Sequence, residues 1–529
     1  MADSSETLDK RTSSTGKHAM LVATGILLSR IMGLVRVRVF SHYFGLVSDA
    51  ADAFNAAFRI PNFLQNMFGE GVLSASFIPV YAGLLARDDE EEAGHVAGAV
   101  AAILALLTSL IVLAGVLATP YLIDAIAPGF TGAKRELSIR LVRILFPGAG
   151  LLVLSAWCLG ILNSHRRFFL SYTAPVIWNI AMIATLVGFG RIGQTRLALA
   201  LAWGSVVGSG LQFAVQLPWV LQLVRHLRLS LSARSPNVRE VIRNFVPVFI
   251  SRGVVQISAY VDALLASLLP TGAVTGLFNA QILYTLPVSL FGMSVSAAEL
   301  PAMSSAVGTQ EEIAACLRLR LDSGLRQIAF LIVPAAMGFL ALGDVIAASL
   351  LQTGRFRHQD AVYVWGILAG SAVGLLATTL GRLYSSTYYA LHDTKTPLNF
   401  AILRVALTTA LGYFCAIPLP PLLGIEPRWG VAGLTASAGL AGWVEFALLR
   451  RTLNRRIGRT GLPAAYVAKL WSSAAMAAAV AWTIKLALGR RNPILAGAAI
   501  LIPYAAVYFA MAALWKLDEA RGLIRRLRR

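Results

Sequence analysis

Windows of roughly 20 largely apolar residues, the length a helix needs to cross about 30 Å of hydrocarbon, recur about fourteen times along this chain. They fall near 20–43, 51–86, 96–119, 137–162, 172–190, 196–223, 242–268, 273–304, 323–350, 361–390, 397–417, 429–449, 463–486 and 494–515. No single water-soluble core accommodates so many, so the expected fold is an all-α polytopic membrane protein. Of the 529 residues 57% are hydrophobic and 14% charged, against roughly a quarter charged in a soluble domain. The 46 basic and 26 acidic residues leave a formal charge of +20. The basic residues sit in the short gaps between windows, where they read as topology signals and contacts to anionic phospholipid headgroups. No nucleic-acid partner is expected.

The first window follows a polar tail, 1–18, and lacks a small-residue cleavage site, so it reads as a retained helix. An even number of spans puts both termini on one side. The gaps on that side hold Arg166 and Arg167, Arg225 to Arg243, Arg318 to Arg326, Arg450 to Arg459 and the tail Arg521 to Arg529; the opposite gaps hold far fewer, chiefly Lys134, Arg135, Arg191, Arg196, Arg355, Arg357, Arg428, Arg490 and Arg491. The positive-inside rule then predicts that both termini are cytoplasmic. The acidic run Asp88 to Glu92 is the exception.

Catalytic and metal chemistry find little support. Cys158, Cys316 and Cys415 are far apart and lie in or beside apolar windows, and the seven histidines show no ligand-type spacing. Phosphate-loop, nucleophile-elbow and dinucleotide motifs are missing from the sequence. Neither a cofactor nor an enzymatic activity is expected.

The chain repeats itself. Ser29-Arg30 returns as Ser251-Arg252, Phe54-Asn55-Ala56 as Phe278-Asn279-Ala280, and the segment ending Ile78-Pro79 resembles that ending Leu300-Pro301, each about 222 residues on. Six spans per copy is an even number, so both copies share an orientation about an axis normal to the membrane. The expected organisation is a cytoplasmic tail, 1–18; a first six-helix lobe, 19–223; a basic linker, 224–243; a second six-helix lobe, 244–451; two further helices, 452–517; and a basic tail, 518–529. Within the linker, Ser235-Pro236 has the form of a helix start, a capping Ser before Pro at the first position.

Ionisable side chains within a span cost at least about 2.5 kcal/mol each and turn toward protein or water. The first window holds Arg30, Arg36 and Arg38. In the second, Asp52, Asn55, Arg59, Asn62, Asn66 and Glu70 fall in a stripe about 80° wide, with Pro61 in its middle and Gly69 and Gly71 flanking Glu70. Together, the proline and the two glycines predict a bent helix. For Asp52, Glu70 and Arg59, interhelical ion pairing and cavity lining both fit. For Arg30 and Arg36, guanidinium forks suited to phosphate oxygens, an anionic headgroup is the better reading. The second copy carries Arg252, Asp262, Glu299, Arg382 and Arg404; Asp262 shares a face with Ser251 and Ser258, which suits a small cation or a salt bridge equally. Gly204-Ser-Val-Val-Gly208 reads as helix packing.

The run Ser29-Arg30-Ile31-Met32-Gly33-Leu34-Val35-Arg36, followed by Asp52-Ala53-Phe54, Arg59-Ile60-Pro61-Asn62, Phe68-Gly69-Glu70-Gly71 and Phe77-Ile78-Pro79, resembles the first two helices of the MurJ (MviN) lipid II flippases of the MOP exporter superfamily. Ile161-Leu162-Asn163, Ala174-Pro175, Gln216-Leu217-Pro218, Gly354-Arg355-Phe356 and Asp393-Thr394-Lys395-Thr396-Pro397 extend the likeness through most of the chain. The resemblance implies fourteen helices in two lobes plus a C-terminal pair, and alternating access that carries an undecaprenyl-pyrophosphate-linked peptidoglycan precursor to the periplasmic leaflet. It implies that Arg30 and Arg36 hold the pyrophosphate, with Asp52 and Glu70 as gate or ion-pair residues; the polar stripe adds Arg59, Asn55 and Asn62 as further substrate contacts, and the repeat adds Arg252 as a gate or ion-pair residue. Some relatives bind sodium in the second lobe, and Asp262 is a possible cation site, but the span from Leu398 to Cys415 offers no second acid, so sodium coupling is not expected. Two departures lower the central positive charge. Gln65 and Asn66 stand where many relatives carry a basic pair, and Ile282 stands where they carry an arginine on helix eight. Alternatives are a flippase for another undecaprenyl-linked glycan, a multidrug antiporter, and a non-transporting scaffold that recruits cell-wall synthases through the basic gaps.

Overall fold

The computed structural model describes residues 24–25, 27–232, 235–305, 307–489 and 492–520, without the side chains of Glu70 and 250–259. Among these residues the regular structure is helical, in two compact units, Met1–Leu264 and Leu265–Arg529. Twelve helices or helix runs are long and apolar enough to cross a membrane. Two more long helices, 27–44 and Pro236–Ser267, fall outside that set.

The first unit comprises α1 (27–44), α2 (Asp49–Phe68), α3 (Glu70–Ser76), α4 (Ile78–Leu85), α5 (Glu90–Ile126), α6 (Gly132–Ser164), α7 (Phe168–Phe189), α8 (Gln194–Leu223) and most of α9 (Pro236–Ser267). Of the two places where the sequence points to a bend, Pro61 and the glycines beside Glu70, the α2–α4 run breaks at the second. Helix α2 passes through Pro61 and stops at Phe68; Gly69 is extended, at φ −80° and ψ −158°. A β-carbon on Gly69 would lie 2.2 Å from the Gln65 carbonyl oxygen, so the break needs glycine. Gly204 and Gly208 do pack helices: added β-carbons there would meet Thr185 Oγ1 at 2.2 Å and Trp178 Cδ1 at 2.9 Å, across the α7–α8 contact.

Helix α9 begins as its sequence suggests. Ser235 Oγ accepts from the Asn237 N–H, with Pro236 as first helical residue. The preceding linker lies across α5, where β-carbons on Gly94 and Gly98 would strike the backbone of His226 and Arg228. Glu92 accepts from Ser235 Oγ at 2.5 Å and Asn237 Nδ2 at 2.9 Å. The acidic run thus faces the basic linker, and Asp89, Glu91, Glu92, His95, His226 and Arg228 line one pocket. Opposite charges meet there, so the docked acidic run partly neutralises the linker.

The second unit comprises α10 (Ala273–Pro287), a π-helical turn (Val288–Met293) and α11 (Ser294–Ser304) as one run, then α12 (Gln310–Leu351), α13 (His358–Ala390), α14 (Lys395–Ala416), the short α15 (Leu419–Leu422), α16 (Gly430–Ile457), α17 (Ala464–Leu488) and α18 (Pro493–Leu514). A capping box starts α12: Thr309 Oγ1 accepts from the Glu312 N–H and Glu312 Oε2 from the Thr309 N–H. Asp393 ties the α13–α14 turn to the end of α16. The Thr396 N–H, then the Thr396 hydroxyl and Arg456 Nη1 at 2.6 Å, hold its carboxyl down at about 2.

Helix α12 is interrupted twice, and each freed carbonyl finds a distant donor. Pro334 cannot donate to Phe330; the Tyr508 hydroxyl does so instead, at 2.6 Å. At Leu342 the backbone leaves helical geometry (φ −128°, ψ 16°), and the indole N–H groups of Trp365 and Trp482 donate to Leu340 and Ala341, each at 3.0 Å. Just beyond the kink Asp344 pairs with Lys485 Nζ at 2.7 Å, and the ammonium also stands 4.3 Å from the Trp482 ring. Lys485→Met leaves the buried carboxylate alone and is expected to destabilise the purified protein by about 3 kcal/mol. Adding Asp344→Asn should restore most of that in detergent unfolding midpoints, whereas a pair of no energetic weight gives additive, small effects.

Candidate functional site

The polar stripe of α2 lies within the first unit, and its members meet different partners. Ser48 caps the helix, accepting from the Ala51 N–H. One turn in, Asp52 is almost fully buried, 1% exposed, and pairs with Lys134 Nζ at 2.9 Å; the same ammonium is 3.2 Å from Asp49 and 4.4 Å from the Phe130 ring. Lys134 stands in the first turn of α6, a residue that sequence reading counts only as a loop charge. Asn55 is buried, Arg59 and Asn62 half-buried.

Arg59 and Asp262 belong together in this unit. The Arg59 carbonyl accepts from the Tyr260 hydroxyl at 2.7 Å, Tyr260 meets Phe63 edge-on at 5.5 Å, and Asp262 acts on the Arg59 guanidinium through its charge. Of the two open readings of Asp262, this places an arginine in its field. Ser251 and Ser258, its expected companions, lie outside the described side chains, as do Glu70 and Arg252.

Arg36 occupies a different environment. Its Cζ is 4.7 Å from the Trp178 ring centre and 5.7 Å from that of Phe58, and the two rings stack at 5.8 Å. Nη1 reaches Met182 Sδ at 3.4 Å, and Nε is buried without a hydrogen-bond partner. Among the described residues no carboxylate comes within ion-pair distance of this guanidinium. The ring faces offer it partial negative charge without cancelling its own. Trp178 is fixed in turn: its indole N–H lies 3.2 Å from both the carbonyl and the hydroxyl of Ser205, and Gly208 leaves room for its edge. Arg30, two turns earlier on α1, is exposed.

Sequence reading missed Trp178, Phe58 and Lys134. One signal was available: Trp178 sits mid-span in Phe168–Phe189, away from the interfaces where membrane tryptophans concentrate. A second buried polar group is built on the Gln216 motif, where Ser155 Oγ donates to Gln216 Oε1 at 2.6 Å and accepts from Gln212 Nε2 at 2.9 Å. These groups join α6 to α8.

Residues 40–493 match the family model for the lipid II flippase MurJ. The chain belongs to the MurJ family. A relative from Burkholderia cenocepacia named lipid II flippase MurJ is 31% identical over 447 residues, 83% of this chain and 84% of that one. A probable lipid II flippase MurJ from Rhizobium meliloti is 31% identical over 518 residues, 94% and 93% of the two chains. A solved lipid II flippase MurJ in an inward closed conformation superposes with a TM-score of 0.77 at 23% identity, covering 96% of this chain and all of that one. An inward-facing multidrug MATE transporter of the MOP superfamily gives 0.62 at 16% identity over 83% of this chain. The fold is therefore that of MurJ and its MOP relatives.

The Arg36 box makes a quantitative prediction. In a double-mutant cycle of Arg36→Gln and Trp178→Leu, unfolding midpoints should give a coupling of about 0.5–2 kcal/mol. Strict additivity would mean that the ring does not hold the guanidinium.

Proposed function

We propose that this chain is a lipid II flippase, moving the undecaprenyl-pyrophosphate-linked precursor of peptidoglycan from the cytoplasmic to the periplasmic leaflet by alternating access. The observation that carries this reading is Arg36: a guanidinium within the first unit, held by ring faces and a thioether, with its charge left uncompensated by any described carboxylate. Such a group suits a pyrophosphate and repels the organic cations that a multidrug exporter carries. Family membership points the same way, since the relatives described above bear the name of lipid II flippases.

In this reading Arg30 and Arg36 engage the pyrophosphate, with Arg59, Asn55 and Asn62 along the polar stripe, while Asp52, Glu70 and Arg252 act in gating or ion pairing. The work is transport and not catalysis. The protein lies in the bacterial inner membrane with both termini cytoplasmic, its basic gaps on anionic phospholipids. Recruitment of cell-wall synthases through those gaps is the second, scaffold-type role that the Arg450 to Arg459 segment would serve.

The decisive assay is outer-leaflet lipid II in bacteria depleted of their own flippase and expressing this chain. Wild type should restore exposure, and Arg36→Ala or Arg30→Ala should lower it at least tenfold at equal membrane abundance. Full activity of both variants would sink the arginine assignment. Restoration that depends instead on the Arg450 to Arg459 segment would favour the scaffold. If a well-inserted wild-type chain restores nothing, a different undecaprenyl-linked glycan becomes the substrate to test.

A further inference from the structure

A second group of charges at membrane depth lies wholly within the second unit and takes no part in the site above. It is drawn from four helices: Tyr284 of α10, Arg382 of α13, Arg404 of α14 and Glu445 of α16. Arg404 Nη1 is 3.2 Å from Glu445 Oε2, with side chains 31% and 14% exposed. Arg382 is exposed, and Tyr284, Arg404 and Glu445 all act on its guanidinium through their charges. The Tyr284 hydroxyl lies beside Thr378, one helical turn before Arg382.

The backbone is arranged to bring these side chains together. One turn after Tyr284 the helix changes to the π-helical turn Val288–Met293, which widens it by one residue. Gly292 in that turn presses on α13, where an added β-carbon would lie 2.3 Å from Thr379 Cγ2. The same face of α13 carries Thr378 and, one turn on, Arg382, so Tyr284 and Arg382 share it. Two guanidinium groups here face one carboxylate, and Arg382 makes no ion pair of its own among the described residues. An exposed guanidinium within a span avoids lipid by facing water or a ligand. A pair of forks flanked by a phenolic O–H is a donor set for phosphate oxygens.

We infer that Arg382, Arg404 and Tyr284 form a phosphate-binding site in the second unit, with Glu445 as an internal counter-ion that holds Arg404 until a phosphate takes its place. The site itself rests on this geometry alone; only its assignment to the pyrophosphate of a lipid-linked precursor rests on the flippase reading.

The test is equilibrium binding of inorganic pyrophosphate, and in parallel of a polyprenyl pyrophosphate, to the purified full chain carrying Arg36→Gln, so that the second unit dominates the signal. Arg382→Gln and Arg404→Gln should each weaken binding about tenfold, and Glu445→Gln should strengthen it severalfold by removing the competing carboxylate. A purely structural Arg404–Glu445 pair gives the opposite pattern, with Glu445→Gln weakening binding as Arg404→Gln does, and overturns the proposal. So does binding indifferent to all three substitutions. Tighter binding of the polyprenyl compound than of pyrophosphate identifies a lipid source, and equal binding a headgroup or free anion. Binding with this pattern in a chain that restores no lipid II exposure would refute the flippase reading and leave the site standing; exposure restored without it would do the reverse.

Discussion

A carbonyl freed inside the hydrocarbon region has no water to turn to, and the cost of leaving it bare is several kcal/mol. The second unit shows how this requirement organises packing. Pro334 frees the Phe330 carbonyl, and α18 docks through Tyr508 to satisfy it; the kink at Leu342 frees Leu340 and Ala341, and α13 and α17 each supply an indole N–H. Hydrophobicity offers no drive for these contacts among lipid tails, so the donors and the close approach of small residues specify them. Gly374 and Gly439, for example, bring the backbones of α13 and α16 into direct contact.

The same accounting applies to charge, and the chain solves it in two ways. Asp52 with Lys134 and Asp344 with Lys485 are carboxylate pairs. Such pairs fix helix positions but largely cancel their own fields. Arg36 is stabilised by Trp178, Phe58 and Met182, which take up its desolvation without opposing its charge. A protein that only needed to pack α1 against α7 would be served by a leucine there. The arginine retains its field, and under the proposed function that field is what the pyrophosphate would read.

Much of this was legible in the residues. The apolar windows fell within long helices because span length is set by bilayer thickness and not by tertiary detail, and the start of α9 followed from Ser235-Pro236. Other features depended on partners far away in the chain. Pro61 and the glycines beside Glu70 both pointed to a bend, but which of them would break the helix was not legible: α2 continues through Pro61 and breaks at Gly69, where only the absence of a side chain lets the chain fold back on the Gln65 carbonyl. Lys134 looked like a loop charge until α6 brought it to Asp52. Gly204-Ser-Val-Val-Gly208 was read correctly as packing, but its consequence was hidden: by admitting Trp178, Gly208 helps build the box around Arg36.

The two broken helix runs tie the repeat to function. Phe68-Gly69 ends α2 in the first unit, and Phe291-Gly292 lies in the π-helical turn of the second. These dipeptides occupy equivalent places in the sequence repeat, so both copies interrupt the same helix at the same point. They do so with different geometry, an extended glycine in one and a widened turn in the other, and the charges that follow differ too. In the first unit the interrupted helix carries its own polar stripe. In the second, the widened turn bears none and instead presses α10 against the arginine-bearing α13. A repeat that preserves the break while changing what stands beside it preserves the geometric means of interrupting a helix, and leaves each unit its own set of arginines beside the break.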